Sequence, residues 1–259
     1  MTAAGRLLLA AALAFLYAPV AVLVAMAFND SPLYQLPFVA STRWFAALAD
    51  NDRLLRASRN SVAVALLTAA IATPLGTAAA VALERGRFRG RALLRAMLLP
   101  PIAVPWLIIG TAMLVFFFWT GIGRGLHAML IGHVALALPY VALVVGAGLR
   151  TIRTDLEDAA MSLGSTPVHA FLAVTLPLLA PSVAGAALLA FAVSLDQFVV
   201  SYFLATPGTT TLPVEIYSAI RKGFTPEINA VSAILLGAST LLILAFARLA
   251  GPGAVVGRG

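Results

Sequence analysis

The sequence predicts an all-α integral membrane protein with six transmembrane helices, and three observations carry that prediction. Of the 259 residues, 61% are apolar and only 10% are charged, whereas soluble domains carry about a quarter charged residues. Several charge-free runs reach the roughly 20 residues that a helix needs to cross a bilayer. The arginines behind the formal net charge of +7 gather at the ends of those runs, as in a topology signal and unlike a nucleic-acid surface. The chain has no cysteine, which excludes disulfides and thiolate metal sites.

The first span is Leu7–Phe28, with Pro19 as its expected kink. Arg6 and Ala25-Met26-Ala27 resemble the flanks of a signal peptide, but such leaders have apolar cores of about 7–15 residues. A retained span is therefore expected over 1–28. An extracytoplasmic loop over 29–59 follows, long enough for a surface helix around Trp44-Phe45. A transmembrane core over 60–250 holds the other spans: about Asn60–Leu83 with Pro74 and Gly76, a third within Ala96–Gly123 after breaks at Pro100-Pro101 and Pro105, then Leu126–Leu149, Ser182–Leu204 and Ile228–Ala247. Small residues at Gly146, Gly148, Gly185, Ala186 and Ala187 favour close helix packing. A tail over 251–259 closes the chain.

Orientation follows from short-loop arginines. Arg85, Arg87, Arg89, Arg91 and Arg95 form the densest basic cluster, so that loop is expected on the cytoplasmic side. Six spans then place both termini and the segment Arg150–Pro181 there too. The opposing arginines Arg43, Arg53, Arg56 and Arg59 share their loop with Asp30, Asp50 and Asp52. The outer segment 205–227 reads as a short helix from Leu212-Pro213 to Gly223. Thr225-Pro226-Glu227 then serves as cap, first-turn proline and dipole partner for the last span.

Arg150–Pro181 carries the densest local signals. Thr154 and Glu157 have capping-box spacing, Leu156, Ala160 and Leu163 share a helical face, and Gly164 suits a left-handed helix stop. Thr166-Pro167 opens a second helix, which Leu176-Pro177 and Pro181 are expected to end. The segment reads as an ordered helix–turn–helix elbow.

Catalysis is not expected. The chain has no G-x-S-x-G, H-E-x-x-H or G-x-x-x-x-G-K-[ST] pattern. His127 and His133 are six apart and do not share a helix face, so His127, His133 and His169 read as interfacial or hydrogen-bonded side chains without metal. Asp196, in Ser194-Leu195-Asp196-Gln197 with Ser201 and Tyr202 beyond, is the exception inside a span. A carboxylate at membrane depth costs on the order of 3 kcal/mol by insertion scales and usually lines a solute path. The alternative is a solvated residue near the outer interface, or one capping a helix break.

The elbow also resembles a family pattern. Asp158-Ala159-Ala160, Gly164 and Leu176-Pro177 resemble the EAA-x-x-x-G…LP motif of MetI-like, type I ABC-importer permeases. FRGRALLR, SLDQFVVSYF and LPVEIYSAIRKGFTPEINAVSAILL look like the PotC-type spermidine/putrescine permease subfamily. The resemblance implies the MetI-like fold and ATPase coupling through Glu157, Asp158, Ala159, Ala160, Gly164, Leu176 and Pro177, with either Glu157 or Asp158 as the contacting acid. It implies a substrate pathway with Asp196, Gln197, Ser194, Tyr202 and Trp44. It implies no cofactor on this chain, ATP and Mg being used by a partner ATPase dimer. The other implied partners are a second permease, expected to be a paralogue in a heterodimer, an extracytoplasmic solute-binding protein and the bacterial inner membrane. Gln197 stands where a second acid is common and Ile102 where an acid can occur, so a polyamine or a related amine or amino-acid-like solute is implied. Two rivals remain. A secondary transporter using Asp196 as an ion site predicts an inverted repeat, which is not found. A membrane-embedded enzyme needs a second polar group facing Asp196.

Overall fold

The computed structural model describes residues 2–32, 35–98, 100–222 and 226–250. Among them no strand forms, apart from the isolated bridge between Asn29 and Ala40. Apolar runs become helices because lipid offers no partner to a free amide, whereas a helix satisfies its own. Among the described residues, four helices are long and apolar enough to cross a membrane: α1 (Ala3–Ala27), α3 (Asp52–Arg85), α7 (Leu126–Thr151) and the stretch Pro167–Leu195. A bent pair is a fifth candidate, and α13 (Glu227–Ala250) carries the shorter apolar stretch Glu227–Leu241. The helix end expected at Gly223, the cap expected at Thr225 and the tail 251–259 lie outside the described residues.

Two expected boundaries are corrected, and an expected break is found. The second long helix starts at Asp52, not near Asn60. The third span follows the expected Pro105 break: α4 (Arg91–Leu98) and α5 (Pro100–Ala103) meet α6 (Trp106–Trp119) at 112°. Pro105 explains the corner, since it lacks an amide and disfavours helical backbone at Val104. The expected fifth span at Ser182–Leu204 is displaced. α9 (Pro167–Ala170), a π turn (Phe171–Thr175) and α10 (Leu176–Leu195) run on as one stretch, and a separate α11 (Val199–Leu204) follows. Leu176-Pro177 therefore does not end the elbow's second helix. The Leu176 amide reaches back to Phe171 O in the wider π register, next to a proline with no amide to place.

The chain divides into two compact units, Met1–Arg56 with Glu215–Leu244, and Ala57–Val214 with Ala245–Gly259. In the first, buried Asn29 organises the loop after α1: its Oδ1 accepts from the Val39 amide at 3.1 Å and its Nδ2 donates to Gln35 O at 3.1 Å. The expected surface helix is α2 (Arg43–Ala49). Trp44 Nε1 donates to Asn29 O at 2.8 Å, Arg43 pairs with Asp30 at 3.0 Å, and Arg53 pairs with Glu215 at 2.8 Å.

The second unit holds the packed core. One cluster joins Ala72 and Ala80 of α3, Val141, Val145 and Leu149 of α7, and Leu179, Ala186 and Ala190 of α10. Another joins Phe117, Met129, Leu136, Val200 and Leu204. Glycine permits this spacing: a Cβ on Gly148 would lie 2.3 Å from Ser182 Oγ. The two ends of this unit differ. At one, Asn60 Nδ2 donates to Gly208 O and Thr210 O, the Leu212 amide donates to Ser61 Oγ, and the Gly125 amide donates to Leu204 O. At the other, α3 ends in Glu84-Arg85 beside the elbow.

Candidate functional site

The elbow is cornered by glycine and braced by charge. α8 (Asp155–Ser162) stops at Leu163, and Gly164 takes φ +97°. The Ser165 amide donates to Ala160 O at 3.1 Å and the Gly164 amide to Met161 O at 2.9 Å, the paired bonds of a Schellman stop. Thr166 caps α9 as expected: its Oγ1 accepts from the His169 amide at 3.3 Å, and Pro167 occupies the first turn.

The expected capping box at Thr154 does not form. Thr154 is itself helical, at φ −70° and ψ −28°, and makes no side-chain cap bond. Glu157 turns elsewhere instead. Its Oε2 accepts from Arg85 Nη1 at 3.2 Å, and its Oε1 accepts from the Thr175 hydroxyl at the end of the π turn. A charged donor from α3 outcompetes the local amide. Beside this pair, Arg150 grips Glu84 with two bonds, Nε to Oε2 at 3.0 Å and Nη2 to Oε1 at 2.7 Å.

The other residues expected to couple are mostly exposed. Asp158 and Ala159 are exposed, Ala160 and Leu176 are half-buried, and Pro177 is exposed. Two of the three apolar residues expected on one face of α8 lie open: Leu156 is 44% exposed and Leu163 90%. Val168 is also exposed on the second arm.

The residues expected along a substrate pathway fall into different settings. Asp196 is exposed and forms the C-cap of α10, at the break before α11. Tyr202 is exposed on α11, with its ring 5.4 Å from Phe198. Gln197 is 1% exposed, and its Oε1 accepts from the Val199 amide at 3.1 Å. Ser194 is buried and bonded to His133. Trp44 belongs to the other compact unit. Sequence reasoning missed the buried group that Ser194 joins, which comprises His133, Ser201 and Thr68. The available signal was a lone histidine within an apolar run, and two serines flanking Asp196-Gln197. Among the described residues no cluster of His, Cys, Asp or Glu could hold a metal ion.

A multi-pass helical bundle with a charged, cornered elbow at one end has the architecture of a membrane transport subunit. The chain belongs to the binding-protein-dependent transport system inner membrane component family, whose model matches residues 72–252. It is 40% identical to the putrescine transport system permease protein PotI of Escherichia coli K12, over 86% of this chain and 82% of that protein. It is 35% identical to the spermidine/putrescine transport system permease protein PotC of the same strain, over 93% of each. Among solved structures, a bacterial ABC transporter involved in import of the acidic polysaccharide alginate superposes with a TM-score of 0.74. The match has 18% identity and covers 95% of this chain and 93% of that one. The inward-facing MetNI methionine ABC transporter superposes at 0.62, with 21% identity, over 81% of this chain and 97% of that one. These likenesses share the MetI-like fold. The chain is thus a transmembrane permease subunit of an ABC importer, a multi-pass inner-membrane protein and not an enzyme.

Proposed function

We propose that this permease carries a small polyamine, a diamine such as putrescine or a related amine, inward from an extracytoplasmic binding protein, driven by a separate ATPase dimer. The names of the relatives at 40% and 35% identity support the solute class. Asp196, exposed at a helix break, gives an ammonium group a carboxylate partner. ATP and Mg act on the partner ATPase, and this chain binds neither.

The elbow carries the coupling. The observation behind this is the division of labour between adjacent acids: Glu157 has both oxygens engaged inside the chain, while Asp158 is exposed beside Leu156 and Leu163. Asp158, with the open apolar face, meets the ATPase; Glu157, Gly164, Thr166 and Pro167 keep the lever stiff. Both termini, the arginine loop 85–95 and the elbow are cytoplasmic. Arg85 pairing with Glu157 and Glu84 with Arg150 keep loop and elbow at one end of the unit, which agrees with that topology. Segments 29–59 and 205–227 face outward to receive the binding protein. A second, paralogous permease completes the path.

Reconstitution tests this reading. Vesicles containing this chain, its paralogue and the ATPase should accumulate radiolabelled putrescine only with loaded binding protein outside and ATP inside. Equal accumulation without ATP would replace the importer reading with secondary transport through Asp196.

A further inference from the structure

A chain of hydrogen bonds runs through the core of the second unit, assigned to no role so far. His133 of α7 is 2% exposed; its Nδ1 lies 2.8 Å from Ser194 Oγ on α10 and its Nε2 3.0 Å from Ser201 Oγ on α11. Ser194 Oγ in turn donates to Thr68 Oγ1 on α3 at 3.2 Å. A neutral imidazole has one donor and one acceptor nitrogen. Ser194 spends its proton on Thr68, so Nδ1–H donates to Ser194, and the Ser201 hydroxyl donates to Nε2. Both ring nitrogens are satisfied, as a buried polar group requires.

Position gives the chain its meaning. His133 lies seven residues into α7, about 10 Å from its end at 1.5 Å per residue, where polar groups are costly and are usually tied to a path or mechanism. Its two bonds land on opposite sides of the break at 196–198, which separates α10 from α11 and carries Asp196. Inside that break Gln197 caps the α11 backbone, while its Nε2 has no partner among the described residues. The local cap is a single bond, and the imidazole ties the two sides of the break.

We infer that His133 is a positioning residue for translocation: it clamps Ser194 and Ser201 across the break and so fixes where Asp196 is presented. The inference rests on the reading of Asp196 as a path residue. Its first readout is independent of any solute, because the chain contains no cysteine and accepts single reporters cleanly. In the assembled importer in nanodiscs, Asp196→Cys is labelled with a water-soluble maleimide, with or without His133→Phe, and Thr120→Cys in the exposed turn after α6 serves as control. His133→Phe should change the Asp196→Cys labelling rate about fivefold, a shift of roughly 1 kcal/mol in the break's conformations, and leave the control unchanged. With Asp196 retained, ATP hydrolysed per putrescine moved should rise severalfold, as hydrolysis without transport replaces coupled turnover. His133→Asn, which keeps the Ser194 end, and His133→Gln, which keeps the Ser201 end, should each restore part of both. Unchanged labelling in the Phe variant overturns the clamp, and His133→Leu, which also removes both bonds, decides if the Phe variant does not assemble. Altered labelling with no putrescine uptake by the unmutated importer leaves the clamp standing and removes the solute assignment.

Discussion

Gly164 holds a backbone conformation that costs an L-residue about 1–2 kcal/mol, and its φ of +97° makes the corner between α8 and α9. Nothing lies within 4 Å of a Cβ built there, so a substitution acts through the backbone alone. Gly164→Val should leave the chain inserted at normal levels and abolish ATP-driven uptake; uptake at the unmutated rate would remove the corner from the mechanism. Gly148 is the contrasting glycine, with ordinary backbone and no room. Gly148→Val should lower the stability of the purified importer by roughly 1–3 kcal/mol through overpacking against Ser182 and Leu179, measured as a reduced unfolding midpoint. Asp196→Asn removes the exposed charge at the helix break and should weaken putrescine uptake or widen selectivity. No change in either would return Asp196 to a capping role.

At the scale of elements, the elbow reads as two arms stapled to α3. Glu157 joins α8 to the π turn through Thr175 and to α3 through Arg85. Charge reversal at either end, Arg85→Glu or Glu157→Arg, should cut uptake severalfold, and the double exchange should recover much of it. The coupling energy expected for contacting residues is roughly 0.5–3 kcal/mol, and additive losses would refute the brace. Legibility in the sequence tracked distance along the chain. The Gly164 stop and the Thr166-Pro167 cap were readable because each is decided within six residues. The Thr154–Glu157 spacing matched a capping box equally well, but Arg85, 72 positions away in sequence, took the carboxylate. The π turn left no periodicity to read, so Pro177 looked like a stop although it lies inside a continuous stretch. His133 was visible only as a lone histidine, because its partners stand 61 and 68 residues away.

For the whole molecule, composition alone settled the membrane class, since 10% charged residues leave too few to cover a soluble surface. Span counting by runs was coarser: it located the apolar stretches and the break at Pro105, but not the 112° angle of that break. The family followed from the elbow motif and is carried by residues 72–252. Topology is the property of the whole chain that arginine placement predicts, and a reporter fused at Gly86 should score cytoplasmic; an outside score would invert every loop. The central claim, that the elbow is where ATPase motion enters the membrane, is tested most directly by contact. Leu163→Cys in the cysteine-free chain, treated with a short thiol–amine cross-linker in the assembled importer, should join to the ATPase subunit, with the yield changing between nucleotide-free and ATP-bound states. A Thr120→Cys control should not join. Absence of a Leu163 cross-link in an importer that still transports would contradict the account.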